Sequence, residues 1–401
     1  MVVKKNKIKI DNIICHSEDQ LSGQGVVRVS HAQYFINVGF LIIFFMLISL
    51  PLISSFLPIN INIDNREKRV LASKPKLMLS TVLFFPQAFE VFYNDHFPFR
   101  NIMIRWNSIL KIRVFKDSPV PSKVIIGKKG WLFYAAEGAL DNFKRTQLFS
   151  GNELKMILHT VENRKESLKR QGVAYYLVFT PEKQTIYPEL MPDSIVPVNR
   201  ISKLDQVIGY LREHSSVKII DARDALFTEK NKHILFRRID THWNQYGAFI
   251  SSVGILRAIV SDFPVIRTSI PSEDDFIIES EVSFRGDLTD MLFIENNIFS
   301  DWVPRMIPKD ARQMQELRDI DYQEPLGIEK LVIREVPDSQ LPRLVMFRDS
   351  FASALVPFLS TCFSRSVYVW SFYHDLSLIA REKPNIVIDE VNERYLYVLI
   401  H

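Results

Sequence analysis

Three residue types that together perform acyl transfer occur in two short stretches of the chain. Asp240 and His242 stand two positions apart, and Ser350 follows an apolar run that begins at residue 344. A carboxylate, an imidazole and a hydroxyl are the parts of a Ser-His-Asp catalyst. Residues two apart on a tightly turned segment can let Asp240 reach Nδ1 of His242 while Nε2 faces a serine. The two stretches therefore point to nucleophilic catalysis.

Other interpretations fit each stretch taken alone. Asp349 or Ser350 can simply cap the helix that is expected to follow, and His242 can be an ordinary loop histidine. A metal site is the weaker option, because the histidines of the chain show no H-x-x-x-H or H-x-H spacing. We expect neither a metal nor a cofactor.

Composition limits the class of protein. The chain has 401 residues, of which 47% are hydrophobic and 24% charged, as is normal for a folded protein with a large core. The net charge of +4 is small, and no block of Lys and Arg alternates with aromatic residues, so we expect no nucleic-acid partner. Two cysteines, Cys15 and Cys362, cannot form a zinc cluster between them.

An uncharged run at residues 35–57 is long enough to cross a bilayer as one helix. A buried core helix and a cleaved signal peptide are alternatives, but the run is longer than either usually is. Positive charges are nearly balanced on its two sides, so charge leaves the orientation open. We predict an uncleaved transmembrane helix, with residues 1–34 as a short cytosolic tail and the remainder outside.

Residues 58–119 are expected to form a juxtamembrane linker and helices. Apolar residues recur at helical spacing from 81 to 115 and Pro98 interrupts them, which predicts two helices joined near 96–100. Two strand-like runs around a Lys-Lys-Gly turn then predict a β-hairpin at 123–134. The catalytic domain is predicted to occupy residues 120–401.

Short apolar runs alternate with helix-like stretches through this domain. They are rich in Val, Ile and Tyr and lie at 173–180, 217–221, 344–347, 367–370 and 386–388. This alternation is typical of an α/β fold with a parallel sheet covered on both faces. Asp349 and Ser350 then come at the carboxyl end of a strand, where open sheets place their sites.

The motifs together resemble the SGNH-hydrolase-like polysaccharide O-acetyltransferases, the AlgJ/AlgX-like alginate O-acetyltransferase family. The resemblance rests first on Asp240-Thr-His-Trp243 and on the later Phe347-Arg-Asp-Ser-Phe351. It extends to further stretches at residues 95–100, 126–134, 284–288 and 390–396. It covers the chain from about residue 64 to the end, and the order and spacing of the motifs are more specific than any single one.

The resemblance implies an SGNH-hydrolase-like, flavodoxin-like fold with a mostly parallel sheet and a catalytic triad. Ser350 is the implied nucleophile, His242 the general base and Asp240 the residue that orients the imidazole. The Asp/His pair precedes the serine, opposite to ordinary SGNH enzymes, so the order of the catalytic motifs is permuted. Arg348 replaces the usual glycine of the nucleophile block, either as a partner of the site residues or as a charge that faces an anionic sugar.

Further residues are expected around this triad. The backbone amides of Ser350 and Gly286 are candidate oxyanion donors, although a turn glycine is the plainer interpretation of Gly286. Trp243, Tyr187 and Trp370 are candidates for stacking on sugar rings, and packing in the core is the alternative for each.

The function that the resemblance implies is transfer of acetyl groups to hydroxyls of an exported polysaccharide. The domain would lie in the periplasm, anchored in the bacterial inner membrane, and acetyl-CoA is cytosolic. The implied partners are therefore a membrane-bound O-acyltransferase as acetyl donor relay and other exopolysaccharide biosynthesis proteins. An SGNH-type carbohydrate acetylesterase and a non-catalytic scaffold of a polysaccharide secretion complex remain as alternatives.

Overall fold

The structure is a computed structural model that describes residues 31–56, 70–97, 99–294, 298–310, 318–319, 331–336 and 340–400. It divides into two units, residues 1–61 and 62–401. The described α-helices are α1 His31–Phe56, α2 Phe85–His96, α3 Arg100–Leu110, α4 Ala139–Lys144, α5 Gly151–Lys169, α6 Lys183–Ile186, α7 Lys203–His214, α8 Ala222–Glu229, α9 Gln245–Ile259, α10 Asp287–Met291, α11 Val356–Leu359 and α12 Leu376–Glu382. The described strands are β1 Val124–Ile126, β2 Leu132–Tyr134, β3 Ala174–Thr180, β4 Lys218–Asp221, β5 Phe276–Ser283, β6 Asp301–Pro308, β7 Arg318–Asp319, β8 Leu331–Glu335, β9 Arg343–Arg348, β10 Arg365–Trp370 and β11 Ile386–Asn392.

Helix α1 covers most of the predicted membrane segment. It begins at His31 and ends at Phe56, while residues 1–30 of the predicted tail and residue 57 lie outside the described residues. Its large apolar side chains between Phe35 and Met46 include many that are exposed. Among the residues that the structure describes, none of the helices combines the length and the apolarity that crossing a bilayer requires. The predicted transmembrane helix is therefore not confirmed.

The second unit begins with two helices and a small hairpin. Helix α2 ends at His96 and α3 begins at Arg100, which confirms the predicted pair of helices with a break between them. Strands β1 and β2 pair antiparallel with Val124 opposite Tyr134, which confirms the predicted hairpin. The amide of Leu132 donates to the carbonyl of Arg238 at 2.9 Å. The hairpin thus supports the segment that carries Asp240 and His242.

The main sheet has seven described strands in the order β4-β3-β11-β9-β10-β8-β7. The first five in this order are parallel to one another, as predicted. Strand β8 pairs antiparallel with β10, and β7 pairs antiparallel with β8. The sheet is therefore mixed, and neither these two antiparallel strands nor the separate antiparallel pair β5–β6 was predicted.

Strand side chains pack on both faces of the sheet, so helices cover both faces. In β9, Met346 joins the apolar cluster that contains α9, and the adjacent Val345 joins the cluster that contains α5 and α7. Full burial of such a side chain contributes roughly 1.5–3 kcal/mol. A slip of one residue would exchange the two faces, so burial on both sides fixes the register of β9 and the position of the residues that follow it.

The carboxyl ends of β9 and β11 bound a crevice. After β9 the chain continues on the face that holds α9, where Phe351 and Leu355 are buried. After β11 it continues on the opposite face, where Leu396 and Leu399 are buried. Neighbouring parallel strands whose connections leave toward opposite faces open a crevice at their carboxyl ends, and Ser350 stands at this one.

A glycine at the start of α9 sets how closely the helix approaches the preceding loop. A Cβ on Gly247 would lie 2.2 Å from the carbonyl oxygen of Leu235, whereas a Cβ on Gly209, inside α7, would meet nothing within 4 Å. We expect Gly247→Ala to lower the free energy of unfolding by roughly 1–3 kcal/mol through overpacking. Gly209→Ala should instead raise it by about 0.5–1 kcal/mol. Urea unfolding of both variants measures this, and an undiminished stability of Gly247→Ala would contradict the packing argument.

Candidate active site

Ser350 lies in the turn between β9 and the 3₁₀ helix Phe351–Ala354. Its hydroxyl does not cap that helix. The cap is Asp349, whose Oδ1 accepts a hydrogen bond from the amide of Phe351 at 2.8 Å. The capping role considered for this stretch therefore belongs to Asp349 and leaves the Ser350 hydroxyl available to other groups.

Asp240, His242 and Ser350 form one continuous hydrogen-bonded chain. Nε2 of His242 lies 3.0 Å from Oγ of Ser350, and Nδ1 lies 2.9 Å from Oδ1 of Asp240. The amide of His242 donates to the same Oδ1 at 3.1 Å, so the carboxylate fixes both backbone and ring. These are the distances of a nucleophile, a base and an orienting acid.

Burial and charge set the protonation of this chain. Burial alone would raise the pKa of Asp240, but the hydrogen bond and charge of His242 outweigh it and hold that pKa well below its usual range. Burial alone would lower the pKa of His242, but Asp240 outweighs it and raises that pKa. Asp240 is thus ionised at neutral pH, and its charge stabilises a protonated imidazole.

The loop that carries Asp240 and His242 is closed by its own backbone and by one buried lysine. Phe236 and Trp243 form an antiparallel bridge across it. Nζ of Lys183, fully buried, donates to the carbonyls of Arg237 at 2.9 Å, Arg238 at 3.2 Å and Asp240 at 2.6 Å. Burial lowers the pKa of Lys183 to about 8, against the opposing effect of nearby carboxylates. With three carbonyl acceptors, the ammonium group of Lys183 stabilises the closed conformation of this loop.

Two buried carboxyl groups lie beneath Ser350. Oδ2 of Asp349 accepts from the amide of Asn392 at 2.9 Å. The amide of Asp349 donates to Oε2 of Glu390 at 3.0 Å, and Thr180 Oγ1 donates to Oε1 at 2.7 Å. Burial raises the pKa of both acids, and that of Glu390 rises well above its usual range because Asp349 adds its charge. The pair fastens the Ser350 turn to β11.

The next carboxylate along β11, Asp389, projects to the opposite face of the sheet. It accepts hydrogen bonds of 2.7 Å from His374, Arg164 and Tyr175. Its pKa is lowered, because the charges of His374 and Arg164 outweigh the effect of burial. Asp389 thereby anchors the segment after β10, which contains His374.

Sequence reasoning missed a second carboxylate beside the imidazole. Oδ2 of Asp287 lies 3.9 Å from Nδ1 of His242, and Oδ1 accepts from the amide of Thr241 at 2.8 Å. Arg237 was missed as well, and its guanidinium pairs with Asp240 Oδ2 at 3.0 Å. Asp287 directly follows Gly286 in the stretch 284–288, which the resemblance already included. That position was the signal by which sequence reasoning could have found it.

Asp240, His242 and Asp287 also meet the distances of a three-ligand metal site, since their ligand atoms lie within 4.8 Å of one another. Nδ1 of His242 and Oδ1 of Asp240 are already hydrogen-bonded to each other. Arg237 supplies a positive charge at Asp240, which opposes a second cation. The arrangement therefore favours acid–base chemistry over metal binding.

Two of the predicted sugar-stacking residues belong to the core instead. Trp243 is 2% exposed, and its Nε1 donates to the carbonyl of Phe351 at 3.1 Å. Tyr187 is 5% exposed, and its hydroxyl accepts from the amide of Leu235 at 3.0 Å. Both prefer burial because the ring is apolar and its polar atom finds a partner. The substrate-binding prediction for these two residues is wrong, and Trp243 joins the loop of Asp240 and His242 to the turn that carries Ser350.

Arg348 and Trp370 lie side by side on β9 and β10. Arg348 is buried and donates to the carbonyl of Asp349 at 3.1 Å and to Ser353 Oγ at 2.8 Å. It is therefore a partner of the turn that carries Ser350, and its prediction as a substrate-facing charge is wrong. Trp370 is 44% exposed, with the Arg348 guanidinium 4.9 Å from its ring centre, so part of its surface is open to a ligand.

Gly286 is explained by close packing. A Cβ there would lie 2.4 Å from the carbonyl oxygen of Ile239 and 3.2 Å from Cβ of Asp240. Its amide donates to Thr289 Oγ1 at 2.9 Å, so it is not available to an oxyanion in this structure. Because Gly286 has no Cβ, the turn that carries Asp287 can approach the loop of Asp240 and His242 closely.

Asp240, His242 and Ser350 meet at the carboxyl edge of an α/β sheet, the arrangement that the resemblance to SGNH hydrolase-like proteins implies, and comparison with known proteins agrees with that class. Residues 124–320 match the family model described as SGNH hydrolase-like domain, acetyltransferase AlgX. This match includes Asp240 and His242, and Ser350 lies after it. The solved structure of Bacillus cereus PatB1 shares the fold, with a TM-score of 0.50 and 18% identity over 68% of this chain and 96% of that chain.

Curated relatives include two proteins named probable alginate O-acetylase AlgJ. The one from Pseudomonas syringae pv. tomato is 24% identical over 222 residues, 55% of this chain and 53% of the relative. The one from Azotobacter vinelandii is 24% identical over 321 residues, 77% of this chain and 78% of the relative. The match thus spans about half the length of the first and over three quarters of the second. These matches support the AlgJ/AlgX-like family of SGNH hydrolase-like proteins for this chain.

The buried ammonium of Lys183 can be tested directly. Lys183→Met keeps the apolar stem but leaves three loop carbonyls without a donor, at roughly 1–3 kcal/mol for each unsatisfied group. We therefore expect a clearly lower unfolding midpoint in urea. Lys128→Met is the matched control, because its ammonium pairs with Asp193 at the surface and such pairs contribute only about 0–1 kcal/mol. Equal losses in the two variants would show that Lys183 does not hold the loop.

Proposed function

We propose that the chain transfers acetyl groups to hydroxyls of an exported polysaccharide through an acetyl-Ser350 intermediate. The observation that carries this proposal is the continuous chain from Ser350 Oγ to His242 and Asp240, at 3.0 and 2.9 Å, in a domain of the AlgJ/AlgX-like family. A non-catalytic scaffold would need no serine hydroxyl within hydrogen-bonding distance of an oriented imidazole.

In the first half of the reaction Ser350 takes the acetyl group. Nε2 of His242 accepts the hydroxyl proton while Oγ forms a bond to the acetyl carbonyl carbon. Asp240 stabilises the imidazolium that results. The Ser350 amide, which makes no hydrogen bond to the residues that the structure describes, is the proposed oxyanion donor. The bond to the donor's leaving oxygen or sulfur then breaks, and that atom receives the proton from Nε2.

In the second half the acetyl group moves to the acceptor. A sugar hydroxyl gives its proton to Nε2 and attacks the acetyl carbon, and the bond to Ser350 Oγ breaks as Oγ regains a proton. The relatives are named alginate O-acetylases, which supports a polysaccharide as the acceptor class. Trp370 is the proposed stacking surface for a sugar ring, because it is partly exposed and lies on the strand next to β9.

We also propose that residues 35–57, most of which lie in α1, anchor the chain in the bacterial inner membrane, with residues 58–401 on the periplasmic side. The uncharged run 35–57 supports this, as do the exposed apolar side chains of its first half. Most side chains of its second half lie outside the described residues. Because acetyl-CoA is cytosolic, a membrane-bound O-acyltransferase is the proposed donor relay, alongside other exopolysaccharide biosynthesis proteins.

The triad is tested with the full chain and a chromogenic acetyl ester. Ser350→Ala should lower kcat/KM by at least about 10³-fold, because the acetyl group has no oxygen to which it can be transferred. Ser353→Ala, one turn further on, is the control for damage to the turn itself, and we expect it to retain most activity. Inactive wild-type protein, or a fully active Ser350→Ala, would refute the mechanism.

A second assay separates a transferase from an esterase. With an added oligosaccharide, formation of acetylated sugar supports transfer, whereas release of free acetate alone would mean an esterase.

The anchor is tested by fractionation of bacteria that express the full chain or residues 58–401 behind a cleavable export signal. The full chain should stay with the membranes after carbonate extraction, because an apolar helix within a bilayer is not released by high pH. The shortened chain should appear in the soluble periplasmic fraction. Release of the full chain by carbonate would exclude an integral anchor at residues 35–57.

A further inference from the structure

A second carboxylate contacts the base half of the triad through a threonine. Asp287 is the first residue of α10, and both of its carboxylate oxygens accept hydrogen bonds from Thr241. Oδ1 accepts from the Thr241 amide at 2.8 Å, and Oδ2 accepts from the Thr241 hydroxyl. The amide of Asp287 in turn donates to Oδ2 of Asp240 at 3.3 Å. The two acids therefore belong to one network with the loop of His242.

The direction of these hydrogen bonds determines how Thr241 meets the imidazole. A hydroxyl has one proton, and Thr241 gives that proton to Asp287. Oγ1 of Thr241 lies 3.1 Å from Nδ1 of His242, and it can only accept there because its proton is already used. Nδ1 must then carry the proton, so the lone pair of the neutral ring is on Nε2, toward Ser350.

We propose that Asp287 is a second positioning carboxylate of the catalytic base, which acts through Thr241 to fix the reactive form of His242 and adds negative charge beside the imidazolium. This inference rests on the proposed function of the same site. Asp287 reaches the ring from the side of Nδ1, 3.9 Å away, and so leaves Nε2 free for the proton of Ser350. Its role is distinct from that of Asp240, which contacts Nδ1 directly.

The charges around the imidazole come from several elements. Asp240 and Asp287 favour its protonated form, and the guanidinium of Arg394 opposes it. Arg237 pairs with Asp240. Two further groups interact with the charge of Asp287, the ammonium of Lys183 and the phenol of Tyr134. Burial raises the pKa of Asp287, and the negative charge of the nearby Asp240 raises it further.

The experiment compares Asp287→Asn with a neighbour on the same helix. Asparagine keeps the shape and one acceptor oxygen for the Thr241 amide but removes the charge. Asp290→Asn is the matched control, because Asp290 pairs with the exposed Arg285 at 3.1 Å. The readouts are the pH dependence of kcat/KM on an acetyl ester and the NMR titration of the His242 ring in the full chain. The titration requires no activity.

The sign of the expected shift follows from the role of His242 as a base. The reaction needs the neutral ring, so kcat/KM rises as the pH passes the pKa of His242, which lies above the usual 6.5 in the wild type. Removal of a negative charge within about 4–6 Å should lower that pKa by roughly one unit or more. For Asp287→Asn both the titration and the acidic limb should therefore move to lower pH, and kcat should fall while KM is unchanged. Asp290→Asn should leave both pH curves in place.

Thr241→Val tests the same inference without removing a charge. It lacks the hydroxyl that meets Nδ1, so we expect a several-fold lower kcat. The double variant with Asp287→Asn should lose less than the product of the two single losses, because part of the effect of Asp287 passes through Thr241. An unmoved His242 titration in folded Asp287→Asn, or an equal shift in Asp290→Asn, would overturn the inference. So would a double variant whose losses multiply. Wild-type protein without activity would instead contradict the proposed function, and the titration would still decide whether Asp287 acts on His242.

Discussion

The ammonium of Lys183 is the interaction on which the geometry of the site depends. A charge buried this deeply is costly unless all its hydrogen-bonding groups are paired. Here its partners are the carbonyls of Arg237, Arg238 and Asp240, so the charge is accommodated only when the loop is closed. Trp243 passes this constraint to the nucleophile turn through its hydrogen bond to the Phe351 carbonyl. His242 and Ser350 are therefore held together although 108 positions separate them in the chain.

The permuted order of the motifs has a simple structural basis. Ser350 follows β9, and the chain then turns onto the face of the sheet that α9 covers. His242 lies just before α9, so the amino end of that helix and the carboxyl end of β9 meet at one edge. A catalytic triad requires only that the start of α9 and the end of β9 lie close together. The order of these two elements along the chain has no effect on that geometry. A catalytic triad is therefore recognised by its geometry and the roles of its members.

That Asp240, His242 and Ser350 come together could be predicted from an acid and a base two apart, from Ser350 at the end of an apolar strand, and from the family that these motifs resemble. The surroundings could not. Whether Trp243 and Tyr187 face solvent depends on partners far along the chain, and here their polar atoms find backbone groups in the core. Asp287 and Lys183 act on a loop about 50 residues away, a contact that no local periodicity encodes. The antiparallel edges of the sheet were missed for the same reason, since their pairing is set by tertiary packing.

Strand β11 carries two adjacent acids that serve opposite sides of the sheet. Glu390 accepts from the Asp349 amide beneath the nucleophile, and Asp389 anchors His374 in the segment after β10. Because strand side chains alternate, one inserted or deleted residue in this strand would exchange both sets of contacts at once. Connections that carry none of the site residues face no such condition, and their length can change without moving Ser350 or His242. An insertion is therefore expected to be tolerated in a connection away from the site and to disrupt the site when it falls in the strand beneath Ser350.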